Sequence, residues 1–303
     1  MIQETDYENR RTVAVQGLAV AKVTAVSSLG WAHYTLYEIL PRMKALGFKR
    51  MEIASFGSYS FHFNFGSPTP PELVGMLKAT GLTPINLNFS HGIYWAYVPE
   101  DIDRFVADWS RKLPHLVEAG IPMMTMPFGW RNERPDQEFQ LANAVRAFDR
   151  VGDIAKKMGI RMLMEAPHLY SIINRPHHVE WVLERLSTDN VGVLVDSSHW
   201  GIINYEPEVF FKALGSRLWH VHLRDATGPD TADGNQELEL TPGKGTADFA
   251  KFGQALDTVG YKGDVSLEFE YRDSTFEDID KEFRDGVAHL AKTGWKLPET
   301  VKV

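Results

Sequence analysis

The sequence predicts an α/β protein built as a single (β/α)8 barrel, and three observations carry that expectation. Short apolar runs alternate with amphipathic stretches eight times between Leu18 and Lys292. Glycine closes five of the amphipathic stretches, at Gly47, Gly81, Gly120, Gly159 and Gly260, the position where helices favour it. Four of the later apolar runs stop on a polar side chain: Arg161-Met162-Leu163-Met164 on Glu165, Val191 to Val195 on Asp196, Leu218 to Val221 on His222, and Val265-Ser266-Leu267 on Glu268. A short apolar run bounded by polar residues fits a strand buried on both faces, as in a parallel sheet. Barrels of this kind carry their chemistry at the C-terminal strand ends. A doubly wound open sheet would instead want a GxGxxG turn after an early strand, and none occurs.

Taken in order, the first strand is expected within Ala19 to Val26 and its helix over Thr35 to Leu46. The next pairs follow at Lys49 to Ala54 with Pro71 to Thr80, Pro84 to Phe89 with Ile102 to Ala119, and Pro122 to Met126 with Gln137 to Met158. Then come Ile160 to Met164 with His178 to Leu186, Val191 to Val195 with Pro207 to Leu214, Arg217 to Val221 with Ala247 to Val259, and Val265 to Leu267 with Ile279 to Lys292. Residues 1–17 read as a polar arm and 18–303 as the barrel with a C-terminal tail. The last helix and that tail, from Trp295 to Val303 with its exposed-looking apolar residues, suggest a homo-oligomer interface.

Composition narrows the function. A chain of 303 residues suits one barrel, for which about 250 is typical. A net charge of −8 without a basic cluster argues against nucleic acid as partner. No apolar run reaches membrane-helix length and the first residues lack a signal core, so a cytoplasmic location is expected. With no cysteine, thiolate metal sites and disulfides are excluded.

Glu165, Asp196, His222 and Glu268 are separated by 31, 26 and 46 residues, the first two steps matching one βα unit each. A polar excursion from Asp225 to Gly245 lengthens the third. The four would end consecutive strands at one mouth of the barrel. Three carboxylates brought together repel unless a cation joins them, and three oxygen donors with one imidazole suit Mn²⁺ first, with Mg²⁺ or Co²⁺ next and zinc behind. An isolated strand-end Asp is more often a helix cap; four at matching ends are hard to explain so. The loops at this mouth are rich in aromatic residues, among them Phe56, Tyr59, Phe61, Phe63, Tyr94, Trp95, Phe128, Trp130, Tyr170, Trp200 and Tyr205. Such rings either stack on sugars and aryl groups or pack the loops onto the rim.

The segments MEAP at Glu165, VDSSH from Asp196 to His199, HVHLRD from His220 to Asp225, VSLE ending in Glu268 and GKGTADF from Gly243 to Phe249 resemble the sugar isomerase/epimerase superfamily, the xylose isomerase-like barrels that include ketose 3-epimerases, inosose isomerases and inosose dehydratases. The resemblance covers residues 18 to 292 and is specific for the superfamily rather than the substrate. It implies one divalent ion, commonly Mn²⁺, on Glu165, Asp196, His222 and Glu268. It also implies that Glu165 and Glu268 exchange a proton with carbon on opposite faces of the substrate, and that His199 contacts substrate oxygens. A metal chelated by adjacent carbonyl and hydroxyl oxygens makes the neighbouring C–H acidic through an enediolate. The expected activity is isomerisation or epimerisation of a keto-sugar or keto-polyol.

Departures from the epimerase pattern are visible. Ser171 and Gly228 stand where those enzymes carry a second Glu and an Arg. Arg224 either substitutes for that Arg or pairs with a rim carboxylate. His168 is an extra base or a loop cap, His220 a buried structural residue, and Glu270 a supporting partner or alternative ligand. Glu52, ending the second strand, is a lesser substrate candidate. Trp130, Trp200, His91 and His168 complete the expected substrate contacts. These departures keep a lyase alternative open: an inosose-type dehydratase, or a deglycosidase of 3-keto-glycosides including C-glycosides, with His91 or His168 protonating the leaving group. A non-catalytic sugar-binding barrel ranks below both, and an abasic-site endonuclease is disfavoured by the charge and the single confident histidine ligand.

Overall fold

A computed structural model of the chain describes residues 21–57, 59–90, 99–126, 128–131, 136–203, 205–231, 234–271 and 274–301. The chain runs β1 (Ala25–Ser27), α1 (Leu36–Ala45), β2 (Arg50–Phe56), β3 (Ser60–Phe61), α2 (Pro70–Thr80), β4 (Thr83–Ser90), α3 (Pro99–Ala119), β5 (Met123–Met126) and α4 (Gln137–Lys157). It continues through β6 (Arg161–Glu165), α5 (Pro176–Arg185), β7 (Val191–Asp196), α6 (Ser197–Ile203), α7 (Pro207–Leu214), β8 (Leu218–Leu223), β9 (Asp225–Thr227), β10 (Glu237–Leu240), α8 (Phe249–Thr258), β11 (Asp264–Leu267) and α9 (Phe276–Lys292). Strands β1, β2, β4, β5, β6, β7, β8 and β11 pair in parallel in that order, and β11 returns to β1 to close the ring. The expected barrel is the fold observed.

Local chemistry explains where the helices begin and end. Thr35 with Glu38, Thr69 with Glu72, and Thr275 with Asp278 form capping boxes at α1, α2 and α9, satisfying backbone N–H groups the first turn leaves free. Gly81 closes α2 in the left-handed region at φ 72°, which a residue with a Cβ adopts only at a cost.

Side chains alternate along each strand, so every strand has an outer and an inner face. The outer face is apolar. Ile53, Leu87, Val193, Val195, Val221 and Val265 pack with Phe105, Trp109, Phe148, Phe210 and Phe283 of the surrounding helices. The inner face differs from the uniformly apolar strand that the sequence reading assumed. Met123, Leu163, Leu194 and Trp219 fill it toward the N-terminal strand ends. Glu52, Asn86, Asn88, Thr125, His220, His222 and Ser266 are all buried within it as well. Such polar groups are tolerated inside only because they bond to one another.

Two segments outside the ring take defined structure. The Asp225 to Gly245 excursion contains an antiparallel hairpin, β9 with β10. Its base is held by Asp225, whose two carboxylate oxygens accept from the backbone N–H groups of Ala226, Gly243, Gly245 and Ala247 at 2.8 to 3.0 Å. Gly245 is obligatory there, since a Cβ would lie 2.3 Å from the Ala226 carbonyl oxygen. The tail is the second, and there the exposed apolar residues expected are found buried. Trp295 and Val301 are buried against their own barrel, Trp295 Nε1 donates to the Phe249 carbonyl at 3.0 Å, and Lys296 pairs with Ala21 and Val23. Trp295 and Val301 therefore complete this chain's own core. Residues 1–20, including the whole of the expected arm, lie outside the described residues, and among those described no helix is long and apolar enough to cross a membrane.

Candidate active site

Strand geometry brings the four strand-end groups together. Asp196 and His222 are directly paired across the β7–β8 ladder, and Ser266, two residues before Glu268, pairs with His222 across β8–β11. Glu165, Asp196, His222 and Glu268 are all buried, and one donor atom from each lies within 4.8 Å of the others. Asp196 also does what an isolated strand-end Asp does: its Oδ1 accepts from Ser198 N at 2.7 Å at the start of α6.

Electrostatics shows the strain in this set. Burial first, and then the charge of Glu268, push the Glu165 carboxyl up to about 8. Burial alone would lower His222, but Glu268 and Glu52 outweigh it and hold its pKa well above the usual histidine value. A cluster of buried carboxylates that retains protons at neutral pH is one a divalent cation would relieve. His222 Nδ1 approaches Glu268 Oε2 to 3.1 Å without being aligned for a hydrogen bond, leaving that buried nitrogen without a partner. Three oxygens and one free imidazole nitrogen fit a hard or borderline divalent ion.

The remaining candidates are placed as follows. Arg224 is buried in the cluster, with Nη2 at 2.5 Å from Asp196 Oδ2 and 3.5 Å from Glu268 Oε2, and Nη1 at 3.0 Å from Glu270 Oε2. It pairs with carboxylates, one of the two roles expected of it. Glu270 in turn accepts from the Tyr59 hydroxyl, which makes it a supporting partner. His199 accepts from Leu169 N at Nδ1 (3.3 Å), and His168 accepts from Tyr170 N at Nδ1 (3.3 Å). Burial foremost, with positive neighbours, pushes both rings well below the usual histidine value. Each neutral ring therefore carries its proton on Nε2. The rings lie 4.1 Å apart, and both belong to a compact group with Glu165, whose Oε1 is 3.8 Å from His199 Nε2. Trp130 is exposed at the rim, where its backbone bridges to Ser171.

Two of the expected contacts are buried among their own neighbours and one lies outside the described residues. Trp200, expected to touch substrate, is a core residue stacked on Phe210 at 5.0 Å with Phe211 beside it, because α6 lays it against α7. Glu52, the lesser substrate candidate, is turned to partners inside the barrel. It is fully buried, with Oε2 at 2.9 Å from His222 Nε2, 3.1 Å from His220 Nε2 and 2.7 Å from Asn86 Nδ2. His91, with Tyr94 and Trp95, lies outside the described residues. His220 is the buried structural residue expected, its Nδ1 donating to the Asp264 carbonyl at 3.0 Å. Sequence reasoning missed Asn86 and Asn88. Asn88 Nδ2 donates to Glu268 Oε1 at 2.7 Å and holds that carboxylate from the opposite side of the ring. The signal was available, since Asn86 and Asn88 repeat at period two inside a run otherwise apolar.

A family model described as xylose isomerase-like TIM barrel matches residues 40–293. The chain is 26% identical over 160 residues to a D-psicose 3-epimerase of Enterocloster bolteae, a match covering 52% of this chain and 50% of that protein. It is 25% identical over 140 residues to an inosose isomerase of Bacillus subtilis, covering 45% of this chain and 50% of the relative. The chain thus spans about half the length of each of these relatives. The crystal structure of IOLI protein with a bound zinc atom superposes with a TM-score of 0.74 at 17% identity, covering 89% of this chain and 98% of that one, a likeness of fold.

Proposed function

The chain belongs to the xylose isomerase-like TIM barrel family, and from that premise we propose that it is a divalent-metal-dependent isomerase or epimerase of a keto-sugar or keto-polyol. The convergence of Glu165, Asp196, His222 and Glu268 within 4.8 Å carries the reading. Those four residues would hold the ion, Mn²⁺ before Mg²⁺ or Co²⁺, and the ion supplies Lewis acidity that makes a C–H beside a carbonyl removable. The relatives named for epimerising psicose and isomerising inosose support the substrate class.

The chain's own residues do the rest. Glu165 on β6 and Glu268 after β11 approach from separate parts of the ring, so one carboxylate takes the proton and the other returns it on the opposite face. Asn88 fixes Glu268 for that role. His199 and His168 direct Nε2–H groups to the Glu165 side, where they bond substrate oxygens and steady negative charge as it develops. Arg224, tied to Asp196 and Glu270, keeps both carboxylates oriented.

A second reading keeps the site and ends in elimination. Ser171 Oγ is spent on the Phe128 carbonyl at 2.8 Å and Gly228 has no side chain, so neither position supplies the charged group that epimerases of this superfamily place there. His168 would then donate its Nε2 proton to the departing group. The test is metal analysis of wild type and Glu268→Gln, followed by a keto-sugar and keto-glycoside panel in D₂O. About one Mn²⁺ per chain, reduced in the variant, with deuterium entering unreacted or isomerised sugar supports the first reading. Release of water or aglycone supports the second. No metal, with no rise in melting temperature on adding Mn²⁺, removes both.

A further inference from the structure

We propose that Glu52 is the positioning residue that presents His222 to the divalent ion through Nδ1, an inference that rests on the metal-dependent reading above. Glu52 lies on the inner face of β2, across the barrel from β8, and is fully buried. A buried carboxylate persists only where donors surround it. Its Oε2 accepts from Asn86 Nδ2 at 2.7 Å and from His222 Nε2 at 2.9 Å, and His220 Nε2 lies 3.1 Å away. Asn86 is itself placed by Thr125 Oγ1 at 2.7 Å, and His220 by the Asp264 carbonyl at 3.0 Å and Ser266 Oγ at 3.2 Å. The acceptor is therefore anchored by β4, β5, β8 and β11 together.

A neutral imidazole that donates from Nε2 leaves its lone pair on Nδ1, so the proton His222 gives up to an ion is the one on Nδ1. Nδ1 is the atom of His222 that faces Glu268, at 3.1 Å, without a hydrogen-bond partner. Glu52 thus determines which nitrogen meets the ion and the plane in which the ring lies. Glu52, His220 and His222 also form a compact trio, yet they make a poor metal site of their own: both Nε2 atoms and the Asn86 amide already crowd one carboxylate oxygen.

Two measurements test this. Long-range ¹⁵N–¹H spectra of wild-type histidine rings, with His222 assigned through His222→Asn, should show its Nδ1 resonance moving on addition of diamagnetic Zn²⁺ while Nε2 keeps its proton. Movement at Nε2 instead overturns the proposal. Calorimetric titration with Mn²⁺ should give an affinity about tenfold to a hundredfold lower for Glu52→Gln, which keeps an acceptor oxygen, and a larger loss for Glu52→Leu, which keeps none. Variants that bind Mn²⁺ as wild type does overturn it too. Should Glu52→Leu fail to fold, the wild-type spectra and Glu52→Gln still decide. A wild type that binds no Mn²⁺ removes the parent reading and this one with it, whereas wild-type binding with unaffected variants removes only the role of Glu52.

Discussion

His199 Nε2 stands 3.8 Å from Glu165 Oε1, and no partner in the described structure takes its proton. A buried N–H without a partner costs roughly 1–3 kcal/mol, and an active site is where such a cost is recovered, when a substrate oxygen completes the bond. His199→Ala should therefore lower turnover by about 10²–10³-fold, the usual loss of one preorganised donor. Mn²⁺ content should stay at the wild-type level, because His199 is outside the four-donor set. Steady-state rates with metal analysis on the same preparation check this; loss of metal along with rate would place His199 among the ligands instead.

Metal uptake should depend on pH with a definite sign. In the metal-free protein the Glu165 carboxyl titrates at about 8, and His222 is held above its usual value. Binding must expel those protons. Below pH 8 the logarithm of the Mn²⁺ affinity should thus rise with pH at a slope of at least one. Titration calorimetry in two buffers of different ionisation enthalpy reads the proton release directly. An affinity independent of pH between 6 and 8 would contradict the arrangement.

His62 provides an acid-stability test remote from the cluster. Its Nε2 donates to the Tyr34 carbonyl at 2.9 Å, and its Nδ1 accepts from Ser28 Oγ at 2.8 Å, whose own acceptor site is taken by Ala54 N. Burial pushes this histidine down to about 4. Between that value and an unfolded value of about 6.5, the unfolded chain binds a proton that the folded one does not. Stability should accordingly fall as pH drops through that window, by up to roughly 3 kcal/mol. His62→Gln should flatten that segment of the curve in denaturant titrations at pH 7, 5.5 and 4.5.

Asp225 should behave as a structural anchor rather than a catalytic group. Removing its carboxylate in Asp225→Ala strands four backbone N–H groups at the base of the hairpin and the GKGTADF turn. At roughly 1–3 kcal/mol for each one left buried and unpaired, a loss of about 3 kcal/mol or more is expected. Scanning calorimetry should show a melting temperature lower by on the order of 10 °C. Asp225→Asn, which keeps one acceptor oxygen, should lose less.

Much was legible before the chain was folded. Local rules act through neighbours in sequence, so the strand–helix alternation, the glycines after helices and the Pro207 start of α7 were all readable. So were the four strand-end groups, since a strand's end and its βα spacing are local properties. Trp200 was misread because its own segment does not say what it packs against; only the arrival of α7 supplies Phe210. The tail was misread for the same reason, as the groove that buries Trp295 is made by α8 and the first described residues.

The sequence by itself determined the barrel, the family and the four donors at one mouth, because periodicity, punctuation and motif are written along the chain. Only the tertiary structure decided how the donors are held. Glu52 meets His222 across 170 residues and Asn88 meets Glu268 across 180. Closing β1 onto β11 turns all eight inner faces toward one axis. In that confined interior each buried polar group must find its partner on whichever strand the ring places opposite.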